Sequence, residues 1–130
     1  MSIPTNNHQI TLEQAITMTT LYRARKAQVL NPTFANVLNL SETFNRDIFD
    51  SLLAQPGAAG IRIYYGMDAG MSIHAILVAV NSNNEDILPP SPTGSTLATA
   101  SANTNTDSGT IGQTGQTCPP ICPPSSPLNP

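Results

Sequence analysis

"GIRIYYGMDAGMSIHAILVAV", Gly60–Val80, is the stretch that decides how this chain folds. Two runs rich in β-branched and aromatic residues flank a short loop in which glycine can supply a positive φ, the pattern of a β-hairpin. With Gly66 opposite Met71, one face carries Ile61, Ile63, Tyr65, His74, Ile76 and Val78. The other carries Arg62, Tyr64, Ile73, Ala75, Leu77 and Ala79. The second strand is then apolar on both faces, which suits a central strand covered on each side.

Helices to cover it lie upstream. Thr11 and Gln14 have capping-box spacing, and Leu12, Ala15, Ile16, Met18, Tyr22, Val29 and Leu30 cluster on one helical side before Pro32 forbids continuation. A first helix from Leu12 to about Leu30 follows. Arg23 and Lys26 intrude near that stripe, so their stems should lie along it with the charges turned to water. Of two candidate caps for the next helix, Ser41 and Asn45, the second places Phe44 and Phe49 at the hydrophobic-staple spacing. Ile48, Phe49, Leu52 and Leu53 then form a short apolar face ending at "QPG", and the preceding "VLNLSETF" is left as a short strand.

Composition changes at Leu88. From Pro89 onward the chain has no aromatic residue, one charge (Asp107) and nine of the twelve prolines. Such a segment buries too little apolar surface to offset its own ordering entropy. A fixed shape would have to be borrowed, from its own head or, as expected here, from neighbouring copies. The sequence thus predicts an α+β chain: a compact head over residues 1–88, with two helices and an antiparallel hairpin, and an extended Thr/Ser/Pro-rich tail over 89–130. Within the tail "STLATA", Ser95–Ala100, has enough Thr to add as a strand to a sheet edge, and otherwise serves as a spacer.

Charged residues make up only 10% of the chain and the formal charge is −3, too mild to imply nucleic acid or a membrane surface as a partner. Weak charging favours association instead. The start "MSIPTNNHQI" lacks a basic cluster followed by an apolar run, and no stretch is long and apolar enough to span a bilayer. That predicts cytoplasmic synthesis, with signal-independent export or surface assembly still compatible.

Chemistry-bearing motifs are few. "CPPICPP" holds both cysteines, Cys118 and Cys122. In a polyproline II conformation they would stand about 12 Å apart, whereas a disulfide needs Cα atoms within roughly 7 Å, so a bridge requires a tight turn, for example with a cis proline. The spacing is not the C-x-x-C of thioredoxin-like proteins, and zinc would need four ligands where only these sulfurs, His8 and His74 are on offer. Cysteines buried or bridged when the tail docks fit better than redox or metal chemistry, and inert exposed thiols are the plain alternative. His74 reads as a hydrogen-bonded structural residue and Asp68 as a turn former. "YRARK", Tyr22–Lys26, reads as charge placed toward a helix C-terminus, and neither "PGAAG" nor "GMDAG" has the lysine of a phosphate loop. No nucleophile or base has a partner at a telling spacing.

Together "TLEQAITMTTLYR", "SETFNRDIFDSLLAQPG", "GIRIYYGMDAGMSIHAILVAV" and "CPPICPPSSPLN" resemble an uncharacterised family of small bacterial proteins, in which a short α/β head carrying a GIRIYYG strand is joined by a variable spacer to a CPPxCPP ending. The resemblance covers nearly the whole chain except the Thr-rich spacer. It implies the fold and no activity.

The expected function is accordingly non-enzymatic: a self-assembling structural subunit of a filament, tube or lattice, whose tail packs on neighbouring heads. Its expected partners are copies of itself, with no cofactor, metal, catalytic residue, nucleic acid, membrane or small-molecule ligand. Arg62, Tyr64, Leu97, Cys118, Ile121 and Cys122 are the expected subunit contacts. One alternative is a monomeric adaptor that recognises a ligand or partner around Arg62 and Tyr64 and uses the tail as a tether. Another is a thiol or metal protein working through Cys118 and Cys122.

Overall fold

The computed structural model describes residues 2–34, 37–89 and 110–130. Its helices and antiparallel sheets make the chain α+β. Among the described residues two helices, α1 (Leu12–Val29) and α2 (Arg46–Leu53), and a 3-10 turn at Pro32–Phe34 accompany six strands. The strands are β1 (Ser41–Thr43), β2 (Gly60–Met67), β3 (Ile73–Val80), β4 (Asp86–Ile87), β5 (Ile111–Gly112) and β6 (Gln116–Cys118).

Both helices start where their side chains can replace missing backbone partners. Thr11 Oγ1 accepts the Gln14 N–H while Gln14 Oε1 accepts the Thr11 N–H, the reciprocal capping box. Asn45 Oδ1 accepts the Ile48 N–H and caps α2. α1 stops at Val29, ahead of Asn31 and Pro32.

The chain forms two compact units. The first comprises Met1–Pro4, Asn45–Tyr64 and Ala75–Gln113; the second Thr5–Phe44, Tyr65–His74 and Thr114–Pro130. Neither follows the division at Leu88, because the end of the tail contributes a strand to each. β5 pairs antiparallel with β3 (Leu77 with Gly112, Val78 with Ile111), and β6 pairs antiparallel with β1 (Ser41 with Cys118, Thr43 with Gln116). Where packing on neighbouring copies was expected, residues 110–118 thus lie on strands of their own chain. The physical reason is that short edge strands offer unpaired N–H and C=O groups, and a polar segment poor in side-chain bulk can satisfy them.

In the first unit β3 is the central strand, with β2 on one side and β4 and β5 on the other. Leu77, Val78, Ala79 and Val80 are all buried, so both faces are covered as the sequence predicts. α2 contributes Leu52, fully buried, and packs against β5. The N-terminal segment is tied by Ile3 N–H donating to the Ser82 carbonyl.

The hairpin register differs from the expected one. Asp68 N–H donates to the Ser72 carbonyl, placing Asp68 opposite Ser72 at the turn, and a methyl group on Gly60 would lie 3.6 Å from Val80 Cγ2 at the other end. This differs from a Gly66–Met71 pairing by an odd number of residues, which exchanges the faces. Arg62 and Tyr64 therefore share a face with Val78 and Val80, not with Leu77 and Ala79. The left-handed residue of the turn is Met71 (φ 67°), not a glycine. Asp68 Oδ1 stabilises that turn by accepting the Ser72 N–H.

In the second unit α1 has no buried residue. Its half-buried face carries Ala15, Ile16, Thr19, Arg23 and Lys26, while Leu12, Met18, Leu21, Tyr22 and Val29 are exposed. The expected inward stripe is thus replaced by one rotated toward the two basic residues. Arg23 turns its guanidinium to protein, donating from Nη1 to the Leu128 carbonyl at 2.8 Å. Tyr22 reaches the Asn39 carbonyl through its hydroxyl at 2.6 Å.

Candidate functional site: the docked C-terminal segment

The two cysteines form a disulfide, with Cα atoms 4.5 Å apart. The peptide bonds Cys118–Pro119 and Pro119–Pro120 are both cis. Cys118 is 1% exposed, and its carbonyl accepts the Leu40 N–H. Ile121 N–H returns to the Thr117 carbonyl, closing the turn inside the bridge, and Ile121 itself remains exposed. Of the alternatives left open for the cysteines, the bridged and docked one is the one observed. Just upstream, a methyl group on Gly115 would lie 2.7 Å from Glu42 Cγ and 2.9 Å from the Phe44 ring, so the backbone there runs against side chains of the receiving segment.

β5 is seated equally closely in the first unit. Thr110 N–H donates to Gln55 Oε1 at 2.7 Å. A methyl group on Gly112 would lie 2.5 Å from Ile48 Cγ1 and 3.3 Å from Leu77 Cβ. A side chain at this position has no space unless the Ile48 side chain moves. Backbone hydrogen bonds hold the strand, and absence of side-chain volume at one position admits it.

Of the residues expected at subunit contacts, Arg62 and Tyr64 are brought together, but with their own chain. Arg62 pairs with Asp86 and also donates to the Asn84 carbonyl and side-chain oxygen; Tyr64 donates its hydroxyl to Asp86 Oδ2. The guanidinium also lies 5.9 Å from the Tyr64 ring centroid. Leu97 and "STLATA" lie outside the described residues. The sequence reading missed Asp86, because β4 is only two residues long. Its signal was the turn chemistry of "NSNNED", in which Asn81 Oδ1 accepts the Asn83 and Glu85 N–H groups and turns the chain back.

His74, in the second unit, lies between two carboxylates. Nε2 is 2.7 Å from Asp68 Oδ2, and Nδ1 is 3.4 Å from Glu42 Oε2. The Asp68 hydrogen bond, aided by Glu42 and opposed by partial burial, holds the imidazole above its ordinary pKa. Asp68 is held below the usual carboxylate range, first by the Ser72 N–H and then by His74. Both ring nitrogens face carboxylates, so this arrangement positions and charges the imidazole rather than presenting a free nitrogen to a substrate. Among the described residues no group of three or more His, Cys, Asp or Glu side chains is placed to hold a metal ion, and no helix is long and apolar enough to cross a membrane.

Compared with family models, curated proteins and solved structures, the chain finds no match in any of the three.

Proposed function

We propose that this chain is a non-enzymatic structural subunit that assembles with copies of itself. The observation that carries this reading is α1: eighteen residues long, it buries no side chain of its own, while Met18 is 63% exposed, Leu21 54% and Val29 73%. These three fall on one side of the helix at helical spacing with Arg25 among them, and Tyr22, whose hydroxyl reaches Asn39, lies at the edge that adjoins the half-buried Ala15–Thr19–Lys26 side. An apolar patch at this spacing on a weakly charged chain is a surface for association, and burying each large side chain contributes roughly 1.5–3 kcal/mol. A second copy offers the same stripe, so an isologous contact is available without any further partner.

Light scattering on the full-length protein across a concentration series tests the reading. Species larger than the monomer should appear and grow with concentration, and Met18→Glu with Val29→Glu should return them to monomer without loss of helical signal. A monomer at every concentration for the unchanged chain would dispose of it.

A further inference from the structure

We infer that residues 110–118 are an exchangeable segment: in the assembled protein the slot formed by β3, Gln55 and Ile48 receives residues 110–112, and β1 receives residues 116–118, from a second copy of the chain. The inference rests on the self-assembly reading and names the element that joins the copies.

The slot recognises a segment, not a connection. Its contacts with residues 110–112 are the β3 ladder at Leu77 and Val78, the Gln55 acceptor for the Thr110 N–H, and the wall of Ile48 against which only glycine fits. β6 repeats the logic on β1, with Gly115 against Glu42 and Phe44. Every one of these contacts is available unchanged to the same segment of another copy. Residues 90–109, which separate Pro89 from Thr110, set a reach of at most about 70 Å at full extension. Exchange therefore costs no contact, and its balance is set by mass action. The tether gives the cis segment an effective concentration on the order of millimolar, which a second interface between copies must match. The uncovered side of α1 supplies such an interface. Selection for the chain's own segment comes from the glycine at 112, since an added methyl group collides with Ile48 Cγ1.

The test uses full-length chains carrying a diazirine side chain at position 111, whose native isoleucine is half exposed. Light (14N) and heavy (15N) chains are refolded together at an assembling concentration, irradiated and digested. In exchanged assemblies about half of the cross-links from residue 111 to β3 or α2 will join light to heavy peptides, the random value for equal amounts. If all of them join like to like while light scattering shows assembly, the strand stays at home and the inference is overturned, with the self-assembly reading left standing. If the chain never assembles, both fall. A steric pair gives an independent check. A Gly112→Ala chain should load poorly onto its own slot and well onto that of an Ile48→Ala chain, so mixing the two should raise the mixed share of dimers clearly above the half expected of a wild-type mixture in native mass spectrometry. A mixture no richer than wild type would count against exchange even where both variants fold.

Discussion

The two compact units are held together by different means. Among the described residues the first buries Leu52, Leu77, Val78, Ala79 and Val80, whereas the second buries only Cys118. What the second unit lacks in apolar burial it replaces with a disulfide, a histidine between two carboxylates, and arginine and tyrosine side chains that reach backbone carbonyls. The lesson is that β3 and α2 supply the buried apolar side chains of the first unit, while in the second the long helix leaves most of its apolar residues outward. A chain whose longest helix is not used for its own core has that helix to use elsewhere.

The largest effect should come from the first unit. Leu77→Ala removes a side chain 2% exposed beneath β5 and should cost about 2–5 kcal/mol, read as a lower denaturant midpoint. If the midpoint hardly moves, apolar burial is not what holds this unit and the contrast fails. Next comes reduction of Cys118–Cys122. The ring is short, so loop-closure entropy sets its contribution at about 2 kcal/mol, and dithiothreitol should lower the midpoint by that amount while speeding amide exchange in β6. A loss larger than that of Leu77→Ala would reverse the order of the two units.

Much of this was legible in advance, for reasons that particular residues make plain. Caps are local: Thr11 with Gln14, and Asn45, each act within three residues, so both helix starts could be read directly. The hairpin was legible as an element and not as a register, because a strand apolar on both faces satisfies either phase of the alternation. Only the partner of Arg62 breaks that tie, and Asp86 lies 24 residues away. The inner face of α1 was misread for a similar reason. Arg23 is drawn inward by the carbonyl of Leu128, 105 residues distant, and no helical periodicity carries that information. β4, β5 and β6 are two or three residues long, too short to show any alternation. That the cysteines could be bridged only in a tight turn was legible; that Cys118 would pair with Ser41 was not.

A smaller effect is expected at the start of α1. Thr11→Ala removes the acceptor for the Gln14 N–H and should cost about 1 kcal/mol. Because α1 has no fully buried residue, the loss should appear as fraying of its first turn in amide exchange, ahead of any change in the first unit. Simultaneous loss of protection in both would show that the units do not respond separately.

The smallest effect distinguishes the second unit by pH. His74 has a folded-state pKa above its ordinary value, so the folded chain holds this proton more tightly than the unfolded chain does. The added stability is complete below about 6.5, the unfolded value, and is lost as the pH rises through the higher folded value. Asp68, held low, acts in the opposite sense: its contribution is present above its unfolded value and lost as the pH falls through the depressed one. Between those limits the Asp68–His74–Glu42 cluster is fully formed, and Tm should decline as the pH rises above about 6.5. His74→Gln keeps a hydrogen-bonding side chain but cannot take the proton, so its Tm should be nearly flat over the same range. A decline that persists in His74→Gln would place the titrating group elsewhere, and the second unit would no longer be the charge-held half of the molecule.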